Sequence, residues 1–245
     1  MPLLNAISYA WPQRLGALIA LLALGAAAYG QTFPEPRTIK INDRVYVLLG
    51  PIQHANRFNQ GYMINSTVIV GDKGVILIDS GGSDEVGRHI ATAVHQITDK
   101  PVTHVVNTHH HGDHYLGNVA FEGATFISSE MCRKMVLETG HEWLGIMERD
   151  IGRKLPGTKP LATEVTYPAG TKTETFIQGV RLVFWVPQGS HTIGDLLVHL
   201  PDDKILVAGD VLVSQTERSK LERSYVIGRD INRAYLEIEA DSFDK

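Results

Sequence analysis

The sequence predicts a mixed α/β (α+β) domain in which two sheet segments carry helices on their outer faces. Three observations predict it. Short apolar runs recur in both halves of the chain, separated by glycine- and aspartate-containing turns. Val86, Ile90, Val94 and Ile97 form the amphipathic stripe of a helix laid on a sheet. A dense set of metal-type side chains, Thr108-His109-His110-His111-Gly112-Asp113-His114, follows directly on the apolar run Val102–Val106, where a strand would end.

The elements follow in order. Arg14 precedes the apolar stretch 15–28, which is short for a membrane span and ends in small residues. Residues 1–30 therefore read as a secretory signal peptide, cleaved after Gly30 or, alternatively, after Ala28; a retained anchor or a core helix is the competing reading. That leaves 31–245 as the domain, with a periplasmic or secreted location and no stable membrane span after cleavage. Ile39 and Ile41, Val45–Leu49, Met63–Val70 and Val75–Ile78 are strand-like, and Gly71-Asp-Lys-Gly74 reads as a hairpin turn. The loop from Pro51 to Gln60 is a connection or, with Phe58 exposed, a flap over a site. Ser80-Gly-Gly82 is a tight turn without a complete phosphate-binding fingerprint. Ser83 caps the first helix, and Asp84 and Glu85 suit its positive end. His89 and His95 fall on its polar side, and His104 lies within the next strand.

Beyond the histidine cluster, Tyr115–Phe121 reads as a short helix, Thr125–Ile127 as a strand, and Ser129–Glu138 as a helix that buries Cys132 on one face. The glycines and prolines of 140–168 predict an irregular lid or bridge, although His141, Trp143 and Met147 have helical spacing. Thr173–Ile177, Val180–Val186, Leu196–Leu200 and Lys204–Ala208 are strands of the second half. The charged segment 214–245 is atypical and reads as one or two short helices.

Composition bounds the function. A chain of 245 residues, 43% hydrophobic and 20% charged, can bury a substantial core as one large domain. A formal net charge of -4 lacks the basic footprint of a nucleic-acid binder and leaves the substrate open; a small-molecule substrate is the expected partner. Cys132 is the only cysteine, which excludes an intramolecular disulfide.

The chemistry sits in the cluster. Alternate residues of an extended backbone point the same way, so His109 and His111 aim at one ion, while Asp113 and His114, after the turn at Gly112, face a neighbouring position. A solvated histidine-rich loop or a tag remnant is the competing reading, but a tag would sit at a terminus. Downstream, Gly189-Ser-His191-Thr-Ile-Gly-Asp195 places a histidine in a turn, and Ala208-Gly-Asp210 places a carboxylate at the end of an apolar run. In isolation they read as a loop histidine and a turn residue. Asp79, at a strand end, is placed to accept hydrogen bonds from the metal-binding loop.

The ordered set Asp79, His-x-His-x-Asp-His, Gly-Ser-His-Thr-Ile-Gly-Asp and Ala-Gly-Asp resembles the metallo-β-lactamase superfamily over about Val45 to Val213. The resemblance implies a four-layer αβ/βα sandwich with metals at the edge between two sheets. It implies His109, His111 and His191 on a first zinc, Asp113 and His114 on a second, and Asp210 bridging them. The chain departs from the family pattern after Asp210, because no histidine follows His199 to complete the second position. The second half of the sandwich is therefore expected to be incomplete, the second zinc weakly held or water-completed, and a partner chain is a possible source of stability.

Three neutral imidazoles leave one zinc position for water, whose pKa falls toward neutrality and so supplies hydroxide, with Asp113 orienting the nucleophile or carrying its proton. The expectation is an exported zinc-dependent hydrolase of an ester, thioester or lactam-type substrate. The alternative is a catalytically impaired zinc-binding or interaction protein that lacks a complete second metal site; a secreted structural protein without metal is the third reading.

Overall fold

The computed structural model describes residues 34–51 and 53–211, together with the backbone of 225–228. The signal-peptide assignment for 1–30 and most of the 214–245 segment lie outside the described residues. One sheet runs in the order β1 (Arg37–Lys40), β2 (Val45–Leu49), β3 (Ser66–Val70), β4 (Val75–Ile78), β5 (Val102–Val106), β6 (Thr125–Ser129), β7 (Val165–Tyr167). Its first four strands pair antiparallel, joined at β3–β4 by the Gly71–Gly74 turn, in which Gly71 N donates to Gly74 O over 2.9 Å. From β4 to β7 the pairing is parallel. The second sheet has the order β12 (Tyr225–Gly228), β11 (Ile205–Gly209), β10 (Leu197–Leu200), β9 (Val180–Val186), β8 (Thr171–Ile177).

Side-chain alternation assembles the layers. β4 is buried throughout: Ile76 and Ile78 join the core shared with β9, β10 and β11, whereas Val75 and Leu77 pack with Val86, Ile90, Ala93 and Val94 of helix α1 (Asp84–Ile97). The same division separates Ile69 from Val68, Val106 from Val105, and Ile127 from Phe126. β9 alternates strictly, with Val180, Leu182, Phe184 and Val186 filling the space between the sheets. At their margin the guanidinium of Arg44 clamps Asp203 through Nε at 3.0 Å and Nη2 at 2.7 Å, a two-pronged bond between the sheets. α1 begins as its sequence implies, with Ser83 Oγ accepting from Val86 N over 3.2 Å.

Three expectations are corrected. The segment after Gly140 is not irregular at first: helix α3 runs continuously over Glu130–Ile151 and stops at Gly152, whose φ of 83° is left-handed. Gly140 serves close packing there, since a Cβ would lie 2.6 Å from Pro160 Cβ. The 214–245 segment is not wholly helical, because Tyr225–Gly228 is a strand that pairs parallel with β11. β7 is likewise a strand inside the stretch read as a lid or bridge. The short helix at Tyr115 begins earlier, as α2 (Gly112–Tyr115), and continues as a 3-10 segment over Leu116–Phe121.

The inter-sheet core predicts a contrast that denaturant unfolding measures. Phe184→Ala empties a fully buried position and should cost about 3–5 kcal/mol. Phe176→Ala, on the exposed side of β8, should change stability by no more than about 0.5 kcal/mol.

Candidate metal centre

The centre forms where parallel strands β4 and β5 end, the edge at which open parallel sheets present their loops. Asp79 follows β4 with φ 60°, a left-handed conformation that aspartate tolerates better than most residues. Its buried carboxylate accepts Thr108 N, Thr108 Oγ1 and His114 Nδ1, each at 2.8 Å. One strand end therefore holds both the start and the close of the histidine loop.

That carboxylate also determines how the neighbouring rings present themselves. The single hydroxyl proton of Thr108 goes to Asp79, so Thr108 Oγ1 must accept from His109 Nδ1, 3.1 Å away. His109 is thereby held as the Nδ1–H tautomer with Nε2 bare. His109 Nε2 lies 3.1 Å from His111 Nδ1, and His191 Nε2 lies 3.3 Å from the same atom. His114, its Nδ1–H committed to Asp79, turns Nε2 toward Asp113 Oδ2 at 3.6 Å and Asp210 Oδ1 at 3.5 Å.

His191 and Asp210 arrive from the second sheet. The loop after β9 is shaped by Asp195, whose buried carboxylate accepts Ser190 Oγ at 2.6 Å, Thr192 N at 2.7 Å and Thr192 Oγ1 at 2.8 Å. Leu196 N then donates to Thr108 O over 2.8 Å, which ties this loop to the histidine loop. Asp210 follows Gly209, which has φ 54° and would place a Cβ 2.8 Å from Thr108, so only glycine lets β11 approach closely enough. His191 Nε2 lies 3.7 Å from Asp210 Oδ2.

Electrostatics separates the rings. Burial, reinforced by the adjacent histidines, holds His109 well below the usual imidazole range. Burial also lowers His111 to about 4, against a smaller pull from Asp113. For His114 burial opposes the charge, but the carboxylates of Asp79, Asp113 and Asp210 outweigh it and raise the group to about 9.

The donor set fits zinc. In a tetrahedral site with Zn–N of about 2.0–2.1 Å, ligand nitrogens stand about 3.3 Å apart. His109, His111 and His191 match that spacing, with all three donor atoms within 4.8 Å of one another. A second group, His109, His114 and Asp210, satisfies the same limit, and His114 Nε2 is buried without a hydrogen-bond partner. The structure thus brings His109, His111, Asp113, His114, His191 and Asp210 into one centre, with His109 reaching both ligand groups. His110 belongs to neither.

Sequence reasoning assigned no role to Trp143, Thr108 or Asp195. The Trp143 ring lies 4.7 Å from that of His111, tilted by 47°, and walls one side of the centre from α3. Helical spacing marks Trp143 as a helix residue but carries no signal of its partner. Asp195 was legible only as part of its motif.

This geometry, two sheets meeting at an edge lined by four imidazoles and two carboxylates, defines a metal-centre protein. Residues 60–239 match the Metallo-beta-lactamase superfamily, and the chain belongs to it. It is 28% identical over 202 residues to a metallo-beta-lactamase type 2 of Elizabethkingia meningoseptica, across 81% of this chain and 71% of that protein. It is 27% identical over 178 residues to a linear primary-alkylsulfatase of Pseudomonas sp. (strain ATCC 19151), across 61% of this chain but only 33% of that enzyme. The solved metallo-beta-lactamase from Pontibacter korlensis shares the fold with a TM-score of 0.54 and 24% identity, covering 71% of each chain. Members of the superfamily are metal-dependent hydrolases, and the family typically binds zinc.

The ring pKa values set a pH optimum for stability of the metal-free protein. His109 and His111 bind fewer protons folded than unfolded, so stability is lost as pH falls from 6.5 toward about 4. His114 binds more when folded, so its contribution is full below 6.5 and is lost as pH rises through about 9. The Tm of chelator-treated protein should therefore peak near pH 6.5. A Tm that climbs steadily to pH 9 would contradict the ion pairing of His114.

Proposed function

We propose that this protein is an exported, zinc-dependent hydrolase of a small ester, thioester, lactam or sulfate-ester substrate. The observation that carries the reading is the convergence of His109 Nε2, His111 Nδ1 and His191 Nε2 at 3.1 and 3.3 Å. Sulfate esters join the substrate classes because of the likeness to an alkylsulfatase, and lactams because of the likeness to a metallo-beta-lactamase.

In this reading the three imidazoles hold the first ion, and Asp113, His114 and Asp210 border a second position. Zinc at such a site supplies Lewis acidity and lowers the pKa of water. Asp113 is the residue placed to orient the attacking water and take up its proton. Asp79 keeps His109 and His114 in their ligating tautomers, which spares the centre any reorganisation when substrate arrives. The ring of Trp143 packs beside that of His111. Among the described residues no helix is long and apolar enough to cross a membrane. Export rests on Arg14 and the apolar stretch 15–28 alone, and predicts that protein recovered from an exporting host begins at Gln31 or Tyr29 by N-terminal sequencing.

A second reading, zinc binding without turnover, is favoured by one feature: His109 belongs to both ligand groups, so filling the first position removes a donor from the second. Turnover of a β-lactam, an aryl sulfate, a thioester and an aryl ester, measured with and without chelator, separates the two. The hydrolase reading expects chelator-sensitive hydrolysis of at least one, restored by zinc. Tight zinc with no turnover on any, even in excess zinc, selects the binding protein. His109→Ala and His191→Ala should each lose most of the bound metal by elemental analysis, and retention in both would overturn the ligand assignment.

A further inference from the structure

We infer that Asn107, Asn118 and Ser80 form a buried amide clamp that positions His114, and that this clamp sets the affinity of the second metal position without governing the first. The inference rests on the two-position reading of the centre above.

Asn107 and Asn118 are both fully buried and face each other head to tail. Asn118 Nδ2 donates to Asn107 Oδ1 over 2.8 Å, and Asn107 Nδ2 returns a bond to Asn118 Oδ1 over 3.1 Å. Asn118 Oδ1 also accepts Ser80 Oγ at 2.7 Å. The second hydrogen of Asn107 Nδ2 points at the His114 carbonyl, 3.3 Å away, and that of Asn118 at Leu161 O, 3.5 Å away. Every N–H of the two amides is therefore directed at an acceptor. A primary amide carries a donor and an acceptor side by side, and no carboxylate or aliphatic side chain of similar size closes such a reciprocal pair.

The His114 carbonyl is where the clamp acts. It accepts Ser80 N at 2.9 Å as well as Asn107 Nδ2, while the ring of the same residue is held by Asp79, the neighbour of Ser80. The end of β4 thus grips residue 114 at both its backbone and its imidazole, and the direction of Nε2 follows. The packing that allows this is tight: Gly117 N donates to Gly81 O over 2.8 Å, and a Cβ at Gly117 would lie 2.1 Å from Ser80 O. None of the clamp's hydrogen bonds reaches His109, His111 or His191; His109 and His111 sit in the loop after β5 that Asp79 pins through Thr108, and His191 in the loop that Asp195 shapes.

Stepwise metal binding to the full-length chain tests this, with zinc affinities from chelator competition and cobalt(II) absorption reporting each position. Asn118 is the site to vary, because Asn107 lies two residues before His109 in the loop that follows β5. Asn118→Leu should weaken the second ion by about 10- to 100-fold, the range for losing a group that holds a ligand in place. First-ion affinity and the first-ion cobalt spectrum should stay unchanged. Asn118→Asp should behave alike, since a carboxylate has no N–H for Asn107 Oδ1. Ser80→Ala, which deletes one hydroxyl, should weaken the second ion by about fivefold, the equilibrium equivalent of one neutral hydrogen bond. If Asn118→Leu does not fold, Ser80→Ala decides. Equal weakening of both ions, or of neither, overturns the clamp. A wild-type chain that takes one ion only also overturns it and leaves the hydrolase reading standing, whereas a chain that takes none overturns both.

Discussion

The centre depends on one buried carboxylate. Asp79 accepts three hydrogen bonds at 2.8 Å from a loop about thirty residues away, and two of those partners, Thr108 and His114, lie at opposite ends of the histidine motif. Its charge sustains the imidazolium of His114, and its claim on the Thr108 proton leaves His109 with Nε2 bare. A buried carboxylate with fewer partners would carry a desolvation cost of several kcal/mol. Here hydrogen bonding and the His114 charge offset that cost, so the same group stabilises the fold and orders the ligands.

The second constraint is the meeting of two sheets. Each supplies part of the ligand set: the first gives His109, His111, Asp113 and His114 beyond β5, and the second gives His191 beyond β9 and Asp210 beyond β11. The separation between them is set by the shared core of Ile76, Ile78, Val106, Leu182, Phe184, Val198 and Val207. Close packing makes that distance stiff. At the rim two local devices finish the job, the Leu196 N to Thr108 O bond and the absence of a side chain at Gly209. Three neutral or repelling imidazoles crowded at 3.1–3.3 Å gain nothing from one another, and such an arrangement makes chemical sense as a cation site.

Much of this was legible in the chain. The strands β2, β4, β5, β9, β10 and β11, and helix α1 with its Ser83 cap, follow from period-2 and period-3.6 patterns, because local backbone geometry dictates which residues share a face. Where local rules failed, a long-range contact had overridden them. Gly140 and the glycines after it looked like breakers, yet α3 continues to Ile151, and Gly140 is there because Pro160 packs into the space a Cβ would fill. Tyr225–Gly228 looked like part of a charged helical tail, yet β11 offers it a free edge to pair with.

The sequence by itself determined the ligand types and their order, since these are matters of residue identity, whereas His109 and His111 come together in a bend beyond the end of β5 rather than by alternation along a strand. It placed Asp79, His191 and Asp210 at the ends of apolar runs, where a site can form. Only the tertiary structure decided that these strand ends meet, which nitrogen of each ring faces inward, and that Trp143 walls the centre. Those facts depend on hydrogen bonds and packing between residues 19 to 80 positions apart along the chain, and no local pattern encodes such distances.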